Sequence, residues 1–470
     1  MNQLEIITEM KTQHQNMINE FKKSPNTEIA ARIDKLNALR NALKEHRSAI
    51  CQAASDDYGK RSIRDTLMAD ILPCIQNIDY TIENLQAWSA PSVREPGALL
   101  AGSEVEVIYQ PKGVIGIVTP WNFPVMLSVG PLISAIAAGN RAMIKMSEFT
   151  PATNNAVRAM LAGVFPEDEV SVIEGEVEVS SAFSSLPFAH ILFTGSTAVG
   201  RIVMQSAAQN LTPVTLELGG KSPVVVADDV SIELAVERTI YGKSLNNGQV
   251  CVAPDYVLVP RAKVDQFVAE YKKQYQQLFK EGVRSESFTS VINERQYSRI
   301  KQLLAEEIDK GTRVVACHEE SEQEDARMMV THLVVEPELE AAIMQEEIFG
   351  PLLPVIAYDQ IDEALDIINS KPKPLALYLM TFDPALENRV KTTIQSGGMC
   401  VNDCVFHLAA DDAPFGGVGD SGMGSYHGKE GFITFSHGKT VLKTGLEHRM
   451  KYLFSDEDNP FKDAVMAAFN

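Results

Sequence analysis

Cys251 lies in the run Asn246-Asn247-Gly248-Gln249-Val250-Cys251-Val252-Ala253-Pro254, and Glu217 lies upstream in Leu216-Glu217-Leu218-Gly219-Gly220-Lys221-Ser222-Pro223. A thiol and a carboxylate, each in its own glycine-containing segment, suggest a nucleophile and a base that folding brings together. Only the thiolate attacks carbonyl carbon, and an unperturbed cysteine is about 3% thiolate at pH 7. A neighbouring base or a helix N-terminus would have to raise that fraction. Taken alone, the pair reads more simply as a structural thiol and an exposed carboxylate at a strand end.

Other segments carry weaker signals of the same kind. Phe193-Thr194-Gly195-Ser196-Thr197-Ala198-Val199-Gly200 follows an apolar run and opens a helical one. Its glycines let the backbone approach a ligand, and a helix N-terminus offers free N–H groups to a pyrophosphate. It is not GxGxxG, and a tight turn explains it equally well. In Ile144-Lys145-Met146-Ser147-Glu148 a strand ends on a cation and a carboxylate, a pair suited to a ribose diol or to plain solvent. Trp121-Asn122-Phe123-Pro124 holds an amide that could donate to an oxyanion beside the Cys251 backbone N–H, or cap the next helix. Glu346-Glu347-Ile348-Phe349-Gly350-Pro351 reads as a ribose and nicotinamide contact or as a helix end. The run Pro414-Phe415-Gly416-Gly417-Val418-Gly419-Asp420-Ser421-Gly422 reads as a ligand approach or a coil. His407 and His427 read as ordinary histidines.

These residues need a scaffold. Before Pro91 the chain reads as helical, with Ile29, Ile33, Leu36, Leu39 and Leu43 at helical spacing and a weaker repeat through Ile75, Ile78, Ile82 and Leu85. Glu104 to Tyr109 alternates as a strand. From Val114 to Ala227 strand-like runs (Val114–Val118, Ala142–Lys145, Val170–Ile173, Ile191–Phe193, Val224–Val226) alternate with helices beginning near Val125, Pro151, Val177 and Ala198. Such alternation predicts a parallel sheet covered on both faces. After Cys251 a strand at Tyr256–Val259 and a helix at Lys263–Phe279 resume the pattern. The 470 residues exceed one core, so two large domains are expected.

Lys+Arg 42 against Asp+Glu 62 gives a net charge of −20, which argues against nucleic acid or an anionic membrane as partner. No signal-like N-terminus and no run long enough to span a bilayer is visible, so a cytoplasmic protein is expected. The six cysteines form no disulfide framework or CxxC, and Cys400 and Cys404 lack companions for a zinc site. No metal is expected.

Taken in order, the segments from Pro111 to Gly431 resemble the aldehyde dehydrogenase superfamily, and several motifs together are far more specific than any one. The region before Trp121, the run Cys251 to Val259, and Asn402-Asp403-Cys404-Val405-Phe406-His407 look most like its class 3 branch. Within that branch, Cys251–Val259 and Gly416 to Gly428 are similar to bacterial coniferyl aldehyde dehydrogenases. Two departures stand out: Met146 where many relatives have proline, and Asn247 in place of a small residue.

The resemblance implies an α/β fold of two doubly wound domains with a small β oligomerisation element. Its expected divisions are 1–95 with 112–218 for NAD(P) binding, 219–420 for catalysis, and 96–111 with 421–470 for oligomerisation, in a homodimer. Residue by residue it makes Cys251 the nucleophile, Glu217 the general base and Asn122 the oxyanion-hole amide. It makes Lys145 and Glu148 adenosine-ribose contacts, Ser196 the pyrophosphate-facing helix start, Glu347 a nicotinamide-ribose and Phe349 a nicotinamide-side contact, with Gly195 and Trp121 as further cofactor-binding residues. The implied reaction oxidises an aldehyde, aromatic such as coniferyl aldehyde or medium- to long-chain aliphatic, to its acid. Cys251 passes through a thiohemiacetal and a thioester, and Glu217 activates the hydrolytic water. NAD is expected because Glu148 repels a 2′-phosphate, with NADP possible because Lys145 attracts one. The rival on the same fold passes the acyl group to coenzyme A; relatives of that kind often lack the carboxylate matching Glu217.

Overall fold

In the computed structural model, residues 2–446 and 449–469 are described. The C-terminal segment expected at 421–470 thus includes residues 447, 448 and 470 outside that range. Two large sheets dominate. The first runs in the order Gly422–Met423, Val214–Glu217, His190–Thr194, Val114–Val118, Arg141–Lys145 and Val170–Ile173, all parallel except the short first strand. The second runs Arg313–Ala316, His332–Val335, Leu352–Tyr358, Tyr256–Pro260, Pro223–Val226, Ala376–Met380 and Gly398–Val401, parallel except at its first pair.

Period-two alternation divides the first sheet between two cores. Ile115, Ile117, Ala142, Ile144 and Leu192 pack under the helices Ile29–Tyr58, Leu72–Trp88 and Met126–Ala137. Val114, Met143, Ile191 and Phe193 face the helices Gln3–Lys23 and Val177–Ser184. This is the doubly wound arrangement that the alternating pattern predicts. Each expected helix of this region starts within a residue of its predicted position. The structure adds one strand, Val214–Glu217, in which Thr215 and Glu217 interrupt the apolar run that marks its neighbours.

The chain passes from the first sheet to the second through 218–222 and returns through 402–421 to add Gly422–Met423. Consequently Glu217 and the segments after Val114–Val118 and His190–Thr194 stand on the C-terminal crest of the first sheet. Cys251 and Glu347 stand just before Tyr256–Pro260 and Leu352–Tyr358, on the N-terminal edge of the second. The first sheet reverses its winding between Val114–Val118 and His190–Thr194, where open α/β sheets leave a ligand crevice. A third, antiparallel sheet pairs Ser92–Arg94, Ser103–Pro111 and Ser436–Thr444, with Thr440 opposite Val107. Among the described residues no helix is long and apolar enough to cross a membrane.

Candidate active site

Trp121, Asn122, Gly195, Ser196, Glu217, Cys251, Glu347 and Phe349 line one cavity of about 230 Å³ between the two sheets. Lys145 and Glu148 do not reach it. Lys145 is buried and donates through Nζ to the Met146 carbonyl at 2.7 Å, so it is not a solvated strand end; Glu148 is exposed.

The turn that presents Cys251 is conformationally costly. Asn246, Asn247 and Gly248 have φ of 47°, 53° and 75°, three consecutive residues in the left-handed region. Asparagine tolerates that region best among side-chain-bearing residues, which accounts for Asn247. A Cβ at Gly248 would sit 2.5 Å from the Gly350 carbonyl oxygen, so no other residue fits there. Buried hydrogen bonds hold the turn. Gln249 donates to the carbonyls of Asn246 (2.9 Å) and Ser290 (3.1 Å) and accepts from the Ile292 N–H at 3.0 Å. The Asn246 N–H donates to Asp65 at 3.1 Å.

Asn122 is tied to the same turn. Its side-chain amide donates to the Gln249 carbonyl at 3.2 Å, leaving a second N–H for the cavity. Capping of the following helix falls instead to Asp70, which accepts from the N–H groups of Val125 and Met126 at 3.1 and 2.7 Å. Asp70 lies on the π-helical turn Leu67–Ile71 and is ion-paired with Arg61, both fully buried. Arg61 in turn donates to the Asn122 carbonyl at 2.8 Å. One buried pair therefore sets the position of Asn122.

Glu217 is 3% exposed, and neither carboxylate oxygen has a hydrogen-bond partner. Burial pushes its pKa well above the ordinary carboxyl range. The glycine-rich run packs over it: a Cβ at Gly416 would lie 3.2 Å from Glu217 Oε1, and one at Gly422 would overlap the Leu216 carbonyl. Those glycines thus serve a close approach of backbone to the Glu217 strand. The half-buried Cys251 thiol is pushed up to about 12, by desolvation first and then by Glu347 and Glu217. Both causes favour the protonated thiol over the thiolate.

Glu347 lies so close to Gly219 that a Cβ there would overlap its carboxylate. Desolvation and the neighbouring Asp255 push Glu347 up to about 8. Phe349, at φ 50°, meets Trp121 edge to face with ring centroids 5.2 Å apart. Several residues here carry no motif of their own. Arg299 donates to the Glu347 and Ile348 carbonyls at 3.3 and 2.5 Å and lines the cavity with Gln296. Lys221 is buried, paired with Asp255, and donates to the carbonyls of Ile343 and Glu346. Lys243, 1% exposed, has an ammonium group with no hydrogen-bond partner; desolvation lowers it to about 8. Lys221 and Asp255 did stand in the two signature runs or beside them, but nothing in the spacing marked Lys243 or Arg299.

On the crest of the first sheet, Ser196 caps the helix Thr197–Ala208, accepting weakly from the Val199 N–H at 3.5 Å. The other first-turn N–H groups have no partner within the helix. A Cβ at Gly195 would lie 2.6 Å from the Phe193 ring, and one at Gly200 2.6 Å from Leu218, so both glycines are needed for close packing. The Thr194 hydroxyl, on the cavity wall, is buried without a partner. Among the described residues, no group of three or more His, Cys, Asp or Glu side chains is placed to hold a metal ion.

A thiol, an amide donor and an unpartnered carboxylate share one cavity. The aldehyde dehydrogenase family matches residues 8–441. The chain belongs to this family. A probable coniferyl aldehyde dehydrogenase of Pseudomonas aeruginosa is 48% identical over 89% of the chain and 87% of its own length. Aldehyde dehydrogenase family 3 member H1 of Arabidopsis thaliana is 36% identical over 92% and 90%. Among solved structures, the substrate-bound state of Staphylococcus aureus AldH matches with a TM-score of 0.90 and 34% identity, covering 100% of both chains. A Mycobacterium tuberculosis aldehyde dehydrogenase complexed with NAD+ matches with a TM-score of 0.81 and 27% identity over 91% and 88%. The class 3 and coniferyl resemblance is borne out, and the chain is an oxidoreductase of the aldehyde dehydrogenase type that converts aldehydes to acids.

Proposed function

We propose that the cavity oxidises aromatic aldehydes of the coniferyl class to their acids through a thioester on Cys251, with NAD as cofactor. The observation that carries this reading is Glu217: both its oxygens are buried, unpartnered and on the wall that Cys251 shares. A carboxylate kept free of protein donors is available to a water molecule. Cys251 gives up its proton to solvent and adds as thiolate to the aldehyde carbon, and the oxyanion so formed is held by the Asn122 amide and the Cys251 backbone N–H. Asn122 is already oriented by Gln249 and, through its carbonyl, by Arg61. Glu217 then takes a proton from the water that attacks the thioester, and the sulfur leaves as thiolate.

The protein fits a nicotinamide dinucleotide. The Ser196 helix start and the tight glycine at 195 suit a pyrophosphate, the orphan Thr194 hydroxyl offers a further polar contact, and Glu347 with Phe349 suits the nicotinamide riboside. When bound, the nicotinamide ring supplies the two-electron acceptor for the oxidation. Trp121, packed edge to face on Phe349, fixes the wall on that side. Lys145 and Glu148 take the adenosine ribose, outside the reaction cavity. NAD use is supported by the NAD+-complexed relative.

An aromatic substrate is supported by a second cavity of about 540 Å³ that includes Leu245, just before the Cys251 turn. Its wall carries Tyr241 and Phe406, half-exposed and stacked at 5.0 Å with an interplanar angle of 10°, a platform for a planar ring. We also assign 1–95 with 112–218 to cofactor binding, 219–420 to catalysis, and 96–111 with 421–470 to formation of a cytoplasmic homodimer through the antiparallel sheet.

The test is a panel of aromatic and aliphatic aldehydes, with NAD+ or NADP+, with and without coenzyme A, following reduced cofactor and acid. Acid formed without coenzyme A, fastest with aromatic substrates, is expected, and Cys251→Ser should abolish NADH formation. Normal turnover in that variant removes Cys251 from the mechanism; product only with coenzyme A replaces hydrolysis by acyl transfer.

A further inference from the structure

The rim beyond the cavity carries an ion pair that none of the motifs includes. In the first sheet Lys145 is in register with Ile173, and the Met146 N–H donates to the Ile173 carbonyl at 3.0 Å. Glu174, the next residue, therefore comes up beside Lys145, and with Glu148 it is one of the two carboxylates that act on the Lys145 ammonium. Glu174 is also bound to Arg158, Oε1 to Nη2 at 2.8 Å, with side chains 31% and 41% exposed. Arg158 rises from the helix Pro151–Ala162, which begins directly after the Lys145–Glu148 segment. Its other contact, to Asn155 at 3.3 Å, is neutral and local. Glu174 thus stands between the buried Lys145, at the place assigned to the adenosine ribose, and the half-buried Arg158, which it occupies.

An arginine at that position in a dinucleotide fold is what accommodates a ribose 2′-phosphate, whereas a carboxylate accepts from a free 2′-hydroxyl. We propose that Glu174 is a specificity-determining residue: by occupying Arg158 it reserves the adenosine end for a nucleotide with a free 2′-hydroxyl. Glu148 excludes the 2′-phosphate by direct repulsion, and Glu174 excludes it by withholding its natural partner. The inference rests on placing the adenosine ribose at Lys145 and Glu148.

Binding calorimetry on the whole enzyme, with NAD+, NADP+ and 2′,5′-ADP as probes, separates the two levels. Wild type should bind NAD+ at least about tenfold tighter than NADP+. Glu174→Ala should tighten NADP+ and 2′,5′-ADP by about tenfold, the scale of one charge-assisted phosphate contact, and leave NAD+ within about twofold. Adding Arg158→Ala to that variant should cancel the gain, and the isosteric Glu174→Gln should reproduce its direction. A gain that survives the loss of Arg158, or no gain at all, overturns the masking role. Equal wild-type affinity for the two dinucleotides overturns it too. If Glu148→Gln leaves every nucleotide's affinity unchanged, the ribose placement itself fails, and the inference falls with it.

Discussion

At the inner end of the site, Glu217 and Lys243 are buried without partners, Glu347 is crowded against backbone, and Cys251 sits on a turn with three left-handed residues. At the outer rim, Glu148 is exposed, Glu174 and Arg158 form an ion pair, and Ser196 caps its helix. The inner groups are desolvated, so their charge states are shifted and any change in one is felt by the others. The rim groups are screened by water, where an ion pair contributes little to stability. The proposed chemistry is concentrated where desolvation makes charge expensive, and the proposed recognition where an exchange of partners is easy. Substitutions should therefore have large effects on rate at the inner end and modest effects on affinity at the rim.

The largest contrast is expected between Glu217→Gln and Glu148→Gln. Without its base, thioester hydrolysis should slow by about 10²–10⁴-fold. Acylation should persist, so stopped-flow traces should show a burst of about one NADH per site before a slow steady state. Glu148→Gln should change the cofactor KM by less than about tenfold, with kcat retained. If Glu217→Gln shows no burst, with its first NADH as slow as the steady state, the division of labour between Cys251 and Glu217 is wrong.

Stability offers a second contrast, between two glycines of positive φ. Gly248 (φ 75°) has the Gly350 carbonyl where its Cβ would be, while Gly311 (φ 81°) has nothing within 4 Å. Alanine at 311 meets only the backbone penalty of about 1–2 kcal/mol. Alanine at 248 adds a clash of the over-packing kind, so about 2–5 kcal/mol in all is expected. Urea midpoints of the two variants measure the difference; equal midpoints would mean that the Cys251 turn relaxes freely, against the hydrogen bonds that bracket it.

Legibility in the sequence followed the same division. Cys251, Glu217, Asn122 and Gly195 could be picked out because a thiol, an amide or a glycine in such runs has a chemical reason to be there. Short apolar runs such as Val114–Val118, alternating with helical segments, exposed the sheet because its strands feed two cores. Arg61, Asp70, Lys243 and Arg299 were invisible for the opposite reason. Asp70, Lys243 and Arg299 are charged residues on helices, where spacing cannot tell a solvated face from a buried one, and Arg61 lies in the short link between two helices. Burial of Lys145 was hidden likewise, since a lysine ending an apolar strand ordinarily reaches water. Val214–Glu217 escaped because its strand character comes from the partners His190–Thr194 and Gly422–Met423, not from its own four residues.

The smallest expected effect concerns the thiol itself, and it tests whether the inner end is as desolvated as its geometry implies. A thiol is neutral when protonated, so burial favours that form, and nearby carboxylates favour it further. With its pKa pushed up to about 12, Cys251 in the cofactor-free enzyme should be alkylated by iodoacetamide at a rate rising about tenfold per pH unit from pH 7 to 10. No plateau should appear where a free thiol levels off, near about pH 8.5–9. Mass spectrometry of the Cys251 peptide separates it from the five buried cysteines. Glu347, itself raised to about 8, is ionised at pH 9 and adds to the thiol's upward shift. Glu347→Gln removes that charge, so the thiol should ionise more readily and alkylation at pH 9 should quicken about two- to tenfold, the range of a partly desolvated neighbouring charge. Glu174→Gln, at the rim, should leave the rate unchanged. A plateau near pH 8.5 in the wild type would place Cys251 in contact with bulk water and erase the contrast between the two ends.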